Sequence, residues 1–159
     1  MNPMFPKTKS IPTGHKLRAI AFALLAKREH SKYDLTQKLQ HYGAHPEEIE
    51  QLVNELEHAH YQSDERMAGM LVRSQVRQGR GLQRVKQSLK KHDIAPELAQ
   101  TALEDIDWLQ EALQLKIKKF GTDIATEPKQ KAKQIRFLQY RGFSMDIIMK
   151  VIKYREDDE

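Results

Sequence analysis

The chain has no cysteine among its 159 residues, which rules out disulfides and any zinc site built on thiolates. That suits a reducing compartment, and a cytoplasmic location is the expectation. No apolar run approaches the roughly 18 residues that span a bilayer, so no membrane partner is expected. The opening "MNPMFPKTKSIPTGHK" holds three prolines and lacks the apolar stretch of a secretion signal; it reads as a flexible leader over residues 1–16. There is no Walker-type glycine loop, no GxSxG and no HExxH. His58 and His60 are two residues apart, which on a helix turns them about 200° from each other, too far to share a metal. Asp105 and Asp107 have the same spacing and are expected to border a helix that starts near Trp108. No catalytic, cofactor or metal site is expected, and the chain does not read as an enzyme.

The most telling absence is local. From Arg66 to His92 there is no Asp or Glu, while Arg66, Arg73, Arg77, Arg80, Arg84, Lys86, Lys90 and Lys91 all fall there. A surface that needs only solubility mixes both signs. The opposite holds over 47–65 and 93–111, which are acidic without one Lys or Arg, and the sign turns positive again from Lys116 to Arg141. Charge alternates in blocks. The net charge of +5 and a pI near 9.3 point to a polyanionic partner, either nucleic acid or an acidic protein surface.

Beneath the charge lies a repeat. "LQHYGAHPEEIEQLV" from Leu39, "LKKHDIAPELAQTAL" from Leu89 and "LQYRGFSMDIIMKVI" from Leu138 superimpose at an offset of about 50 residues, then about 49. In each, an amphipathic helix ends at Gly43, Asp93 or Gly142, where the left-handed conformation of a sharp turn suits glycine and is tolerated by aspartate. The next helix follows at once. Pro46 and Pro96 suit its first position, and Ser144 offers an N-cap. A further helix precedes each pair, with apolar stripes at Leu17, Ala21, Leu24 and Leu25; at Met67, Met70 and Leu71; and at Leu109, Ala112, Leu113 and the alkyl stem of Lys116. Ser31 with Asp34 has the capping-box pattern. No stretch has a strand pattern.

The expected fold is therefore all-α: three tandem three-helix repeats over 17–62, 63–107 and 108–153, forming an elongated, curved body, with an acidic tail at 154–159. Arg66, Arg73 and Arg77 fall within about 40° of one another around their helix. Gly79 and Gly81 bracket Arg80 in a turn.

The stretch "YQSDERMAGMLVRSQVRQGRGLQRVKQSLKKHDI" resembles the RecX regulatory proteins, which modulate the bacterial recombinase RecA. Their middle unit has a "DERFA"-like start, an arginine-bearing helix, a short glycine turn and a second basic helix. "LAKREHSKYDLTQKL", "KIKKFG" and "KQIRFLQYRGFSMDII" resemble the first and last units, so the likeness covers residues 17–153. Met67 stands where an aromatic is usual, and Asp93 where glycine is. The resemblance implies a monomeric regulator that lodges in the groove of a RecA filament on single-stranded DNA and lowers ATPase and strand-exchange activity. The candidate contacts are Arg73, Arg77, Arg80, Arg84, Lys86, Lys90, Lys91, Lys133, Arg136, Tyr140 and Arg141. Weak direct DNA binding is an accompanying expectation. The alternatives are a helix-turn-helix-like nucleic-acid-binding module and a helical scaffold for some other acidic protein.

Overall fold

The computed structural model describes residues 10–155. Most of the expected leader and of the acidic tail lies outside them. Among the described residues there are nine α-helices and no strand: α1 (Gly14–Lys27), α2 (Lys32–His41), α3 (Pro46–His58), α4 (Asp64–Arg77), α5 (Leu82–Lys91), α6 (Gln100–Glu104), α7 (Trp108–Phe120), α8 (Pro128–Tyr140) and α9 (Met145–Ile152). None of the helices is long and apolar enough to cross a membrane. The chain divides into two compact units, residues 1–64 and 65–159.

In the first unit, Leu17, Ala21, Leu35, Leu39, Ile49, Val53 and Leu56 make a core in which none is more than 1% exposed. Ser31 caps α2 by accepting from the Asp34 amide at 3.0 Å, half of the expected box. The α1–α2 turn is tied to the end of the unit by polar groups. Asp64 accepts from the Lys32 amide at 2.8 Å and from Gln62 Nε2 at 3.0 Å, and Gln62 Nε2 also reaches the His30 carbonyl at 3.2 Å.

The second unit holds two cores. Met67, Ala68, Leu71, Val72, Val85, Leu89, Ile94 and Ala99 form one; Ala112, Leu113, Leu138, Phe143, Ile148, Val151 and Ile152 form the other; Trp108 packs against both. The repeat is visible in burial: Leu39, Leu89 and Leu138 are each at most 1% exposed. Such a leucine contributes about 1.5–3 kcal/mol through removal of apolar surface from water. It is visible in the turns as well, since Gly43, Asp93 and Gly142 all have positive φ, at 85°, 52° and 100°. Pro46 opens α3, Pro96 opens the 3-10 turn Pro96–Ala99 that leads into α6, and Ser144 accepts from the Ile147 amide. Asp107 caps α7 by accepting from the Gln110 amide at 3.1 Å.

Three details differ from the sequence reading. The third helix of the middle repeat is a 3-10 turn followed by the five-residue α6, because the chain first tightens into i→i+3 bonding, with the Leu98 amide donating to the Ala95 carbonyl at 3.1 Å. His60 lies past the end of α3 in a left-handed turn at φ 66°, so it shares no helix face with His58. Leu109 is 40% exposed and outside the core.

The two trios of the second unit meet along a seam of backbone. The turn after α4 lies against the turn after α8: the Gly81 amide donates to the Arg141 carbonyl at 2.8 Å, and the Gln83 amide to the Gly142 carbonyl at 3.0 Å. A Cβ on Gly81 would fall 2.6 Å from the carbonyl carbon of Gly142 and 2.7 Å from the Phe143 nitrogen, so glycine here serves close approach.

Candidate partner-binding surface

The candidate cations divide by what holds them. Arg73 and Arg77 project from α4, Lys86, Lys90 and Lys91 from α5, and Lys133 and Arg136 from α8; all are exposed. None of these seven is ion-paired among the described residues. Spacings of three and seven residues put Lys133, Arg136 and Tyr140 on one face of α8, where Tyr140 is 75% exposed.

The half-buried arginines behave otherwise. Arg80 donates to Gln75 Oε1 at 3.0 Å. Arg84 donates to the Tyr140 carbonyl at 3.1 Å and lies 5.3 Å from the centre of the Tyr140 ring. Arg141 donates back across the seam to the Gln78 carbonyl at 2.9 Å and lies 5.3 Å from the Phe137 ring. Each guanidinium of this reciprocal pair thus fixes a turn of the opposite trio.

The seam brings Arg77 and Arg141 together, and two lysines join them that the sequence reading did not single out. Arg77, Gln78, Gly79, Leu115, Lys118, Lys119, Phe137 and Arg141 line a cleft of about 330 Å³. The signal for Lys118 and Lys119 was present in "KIKKFG", next to the stripe that buries Lys116, but their proximity to Arg77 depends on the seam. Lys86 is elsewhere. It lines a depression of about 400 Å³ with Leu82, Trp108, Glu97 and Glu104, where the charges are mixed. In the first unit, a broader groove between α1 and α3 contains Arg18, but its guanidinium makes a two-pronged contact with Glu55 at 2.8 and 2.9 Å and holds that carboxyl below its usual range. Among the described residues no cluster of three or more His, Asp or Glu is placed to hold a metal.

Two further ionisable groups are buried. The Lys116 ammonium donates to the Gly121 and Asp123 carbonyls at 2.8 and 2.9 Å, and burial lowers its pKa. His30, 3% exposed, has Nδ1 2.9 Å from the Arg28 carbonyl and Nε2 3.2 Å from Lys38 Nζ. A carbonyl and an ammonium on either side require a neutral ring with its proton on Nδ1. Burial, then the charge of Lys38, lowers the His30 pKa below its ordinary value.

Family models for the first, second and third three-helix domains of RecX match residues 18–56, 63–103 and 105–152. The chain is a member of the RecX family. It is 53% identical over 146 residues to the regulatory protein RecX of Acinetobacter baylyi, covering 92% of each chain. To RecX of Vibrio cholerae it is 40% identical over 144 residues, 89% of this chain and 95% of the relative. The crystal structure of RecX from Lactobacillus salivarius superimposes with a TM-score of 0.75 at 22% identity, over 87% of this chain and 93% of that one, which shows a shared fold. Membership makes the chain a regulatory protein rather than an enzyme, with RecA as the partner that the RecX family implies.

Proposed function

We propose that the chain regulates RecA from within the groove of the filament on single-stranded DNA, where it lowers ATP hydrolysis and strand exchange and limits filament growth. It acts as a monomer in the cytoplasm, with Arg73, Arg77, Arg80, Arg84, Lys86, Lys90, Lys91, Lys133, Arg136, Tyr140 and Arg141 as its candidate contacts. The observation that carries this reading is the set of exposed cations on α4, α5 and α8 that form no ion pair among the described residues. Charges already neutralised inside the molecule would have nothing to offer a partner. Each exposed ion pair contributes only about 0–1 kcal/mol, so affinity has to be summed over many of them.

The test is to add the protein to pre-formed RecA filaments and follow ATP hydrolysis across a range of ratios. Inhibition that deepens with the ratio is expected, and no effect at any ratio rejects the reading. Replacing Arg73→Glu together with Arg77→Glu is expected to leave the helical circular dichroism intact and to abolish inhibition. Persisting inhibition would make those two positions plain solvated surface.

A second reading, direct nucleic-acid binding, draws support from the single face of Lys133, Arg136 and Tyr140 on α8, where cations flank an exposed ring. It predicts oligonucleotide binding without RecA, with a steep dependence on salt as counterions are released.

A further inference from the structure

The cleft that contains Arg77 and Arg141 is assembled from two trios. Arg77 ends α4, and Gln78 and Gly79 come from the turn after it; Leu115, Lys118, Lys119, Phe137 and Arg141 come from α7, α8 and the turn after α8. The seam holds these parts in place, so the cleft exists before any ligand arrives. Four cations line it and no carboxylate does. Arg141 is oriented by its bond to the Gln78 carbonyl, and a guanidinium that has used one N–H keeps four of its five donors.

The walls discriminate among anions. Leu115 supplies an apolar surface so close to the chain that a Cβ on Gly79 would lie 2.9 Å from its Cδ2. Phe137 is not an open platform. Lys119 Nζ lies 5.5 Å and Arg141 Cζ 5.3 Å from its ring centre, and Phe120 meets it edge-on at 5.5 Å. A single strand of nucleic acid draws on exposed ring faces for stacking as well as on cations. Here two cations already face the ring, and the rest of the wall is the aliphatic Leu115.

We propose that this cleft is the docking site for an acidic segment of a partner protein, in which an Asp or Glu stands beside a leucine-like residue. The carboxylate sits among Arg77, Lys118, Lys119 and Arg141, with forked acceptance from the Arg141 guanidinium. The neighbouring aliphatic side chain covers Leu115. The inference rests on the regulatory reading in taking a protein as the partner.

The experiment titrates the full chain, labelled for amide NMR, with a synthetic peptide containing Leu-Glu-Asp-Leu. The controls are the same peptide with Ser for Leu, the same peptide with Gln and Asn for the acids, and an oligothymidylate. Saturable shifts at Gln78, Gly79, Leu115 and Phe137 are expected with the acidic peptide. Binding is expected to weaken at least fivefold for each control peptide, and at least fivefold when Lys118→Glu and Lys119→Glu are combined. Both lysines are exposed, and unchanged circular dichroism confirms that the variant is folded. Absence of saturation at millimolar peptide, equal binding by the lysine variant, or tighter binding of the oligonucleotide at the same amides would overturn the proposal. RecA is absent from this titration, so a negative result removes the cleft's assignment and leaves the regulatory reading to its own ATPase assay.

Discussion

His30 and Lys116 place titratable groups inside the two units and satisfy them in opposite ways. Lys116 donates to the two carbonyls that fold the chain back after α7. His30 is neutral, since its unprotonated Nε2 receives Lys38. That arrangement has a definite dependence on pH. The unfolded chain takes up the histidine proton near the ordinary value of 6.5, whereas the folded chain resists until a lower pH. Below 6.5 the unfolded state therefore binds more protons, and stability declines as pH falls until the folded-state pKa is passed. The urea midpoint of the first unit's unfolding, followed by hydrogen exchange, is expected to drop between pH 7.5 and 5.5, and to drop less in His30→Gln. An identical pH profile in that variant would place the acid sensitivity elsewhere. Sequence alone put the Lys116 stem on an apolar stripe, because helical periodicity is local information. It had no means of finding the carbonyls that its ammonium reaches, since these depend on how the following turn folds back.

At the scale of the element, helix ends were the most legible feature. Ser31, Asp107 and Ser144 cap as their chemistry suggests, and Gly43, Asp93 and Gly142 turn the chain through the left-handed region. At α5 and α8 the closing bonds are the six-residue kind: the Ile94 amide reaches the Leu89 carbonyl at 2.9 Å and the Phe143 amide reaches that of Leu138 at 3.2 Å. Asp93 bears a Cβ in that region, where an L residue other than glycine is strained by roughly 1–2 kcal/mol, less for aspartate. Asp93→Gly is expected to raise stability by about 0.5–1 kcal/mol once the greater freedom of glycine in the unfolded chain is offset. Urea denaturation measures this; a loss of stability would mean that the carboxylate makes a compensating contact. The ends that sequence did not give are His60, a bulky residue in the same conformation, and the 3-10 turn at Pro96. In both, backbone bonds close the turn: the Tyr61 amide donates to the Leu56 carbonyl at 2.9 Å beside the exposed His60, and the Leu98 amide to the Ala95 carbonyl at 3.1 Å.

At the scale of the whole molecule, three repeats are readable because each reuses the same buried leucine and the same turn, whereas the seam inside the second unit is not. It joins residues about sixty apart in sequence through backbone groups that have no side-chain signature, as in the bond from the Gly81 amide to the Arg141 carbonyl. "GRG" reads as a helix stop, and Gly79 at φ 75° serves as one; Gly81 is instead required by what faces it. Gly81→Ala would push a methyl group into backbone, which cannot rotate aside as a side chain can. A loss of about 1–3 kcal/mol is expected. Faster amide exchange at Gly81 and Gln83 should accompany it, with helix content retained because each trio keeps its own core. Unchanged exchange at those two amides would show that the turns tolerate separation.

The reciprocal grip of Arg84 and Arg141 also bears on how charge should be probed. A glutamate at either position would repel a partner and would also unclasp one half of the second unit from the other, so a lost response would have two causes. Lys118 and Lys119 form no hydrogen bond or ion pair among the described residues, and reversing their sign changes what an incoming molecule meets while keeping both arginines of the clasp.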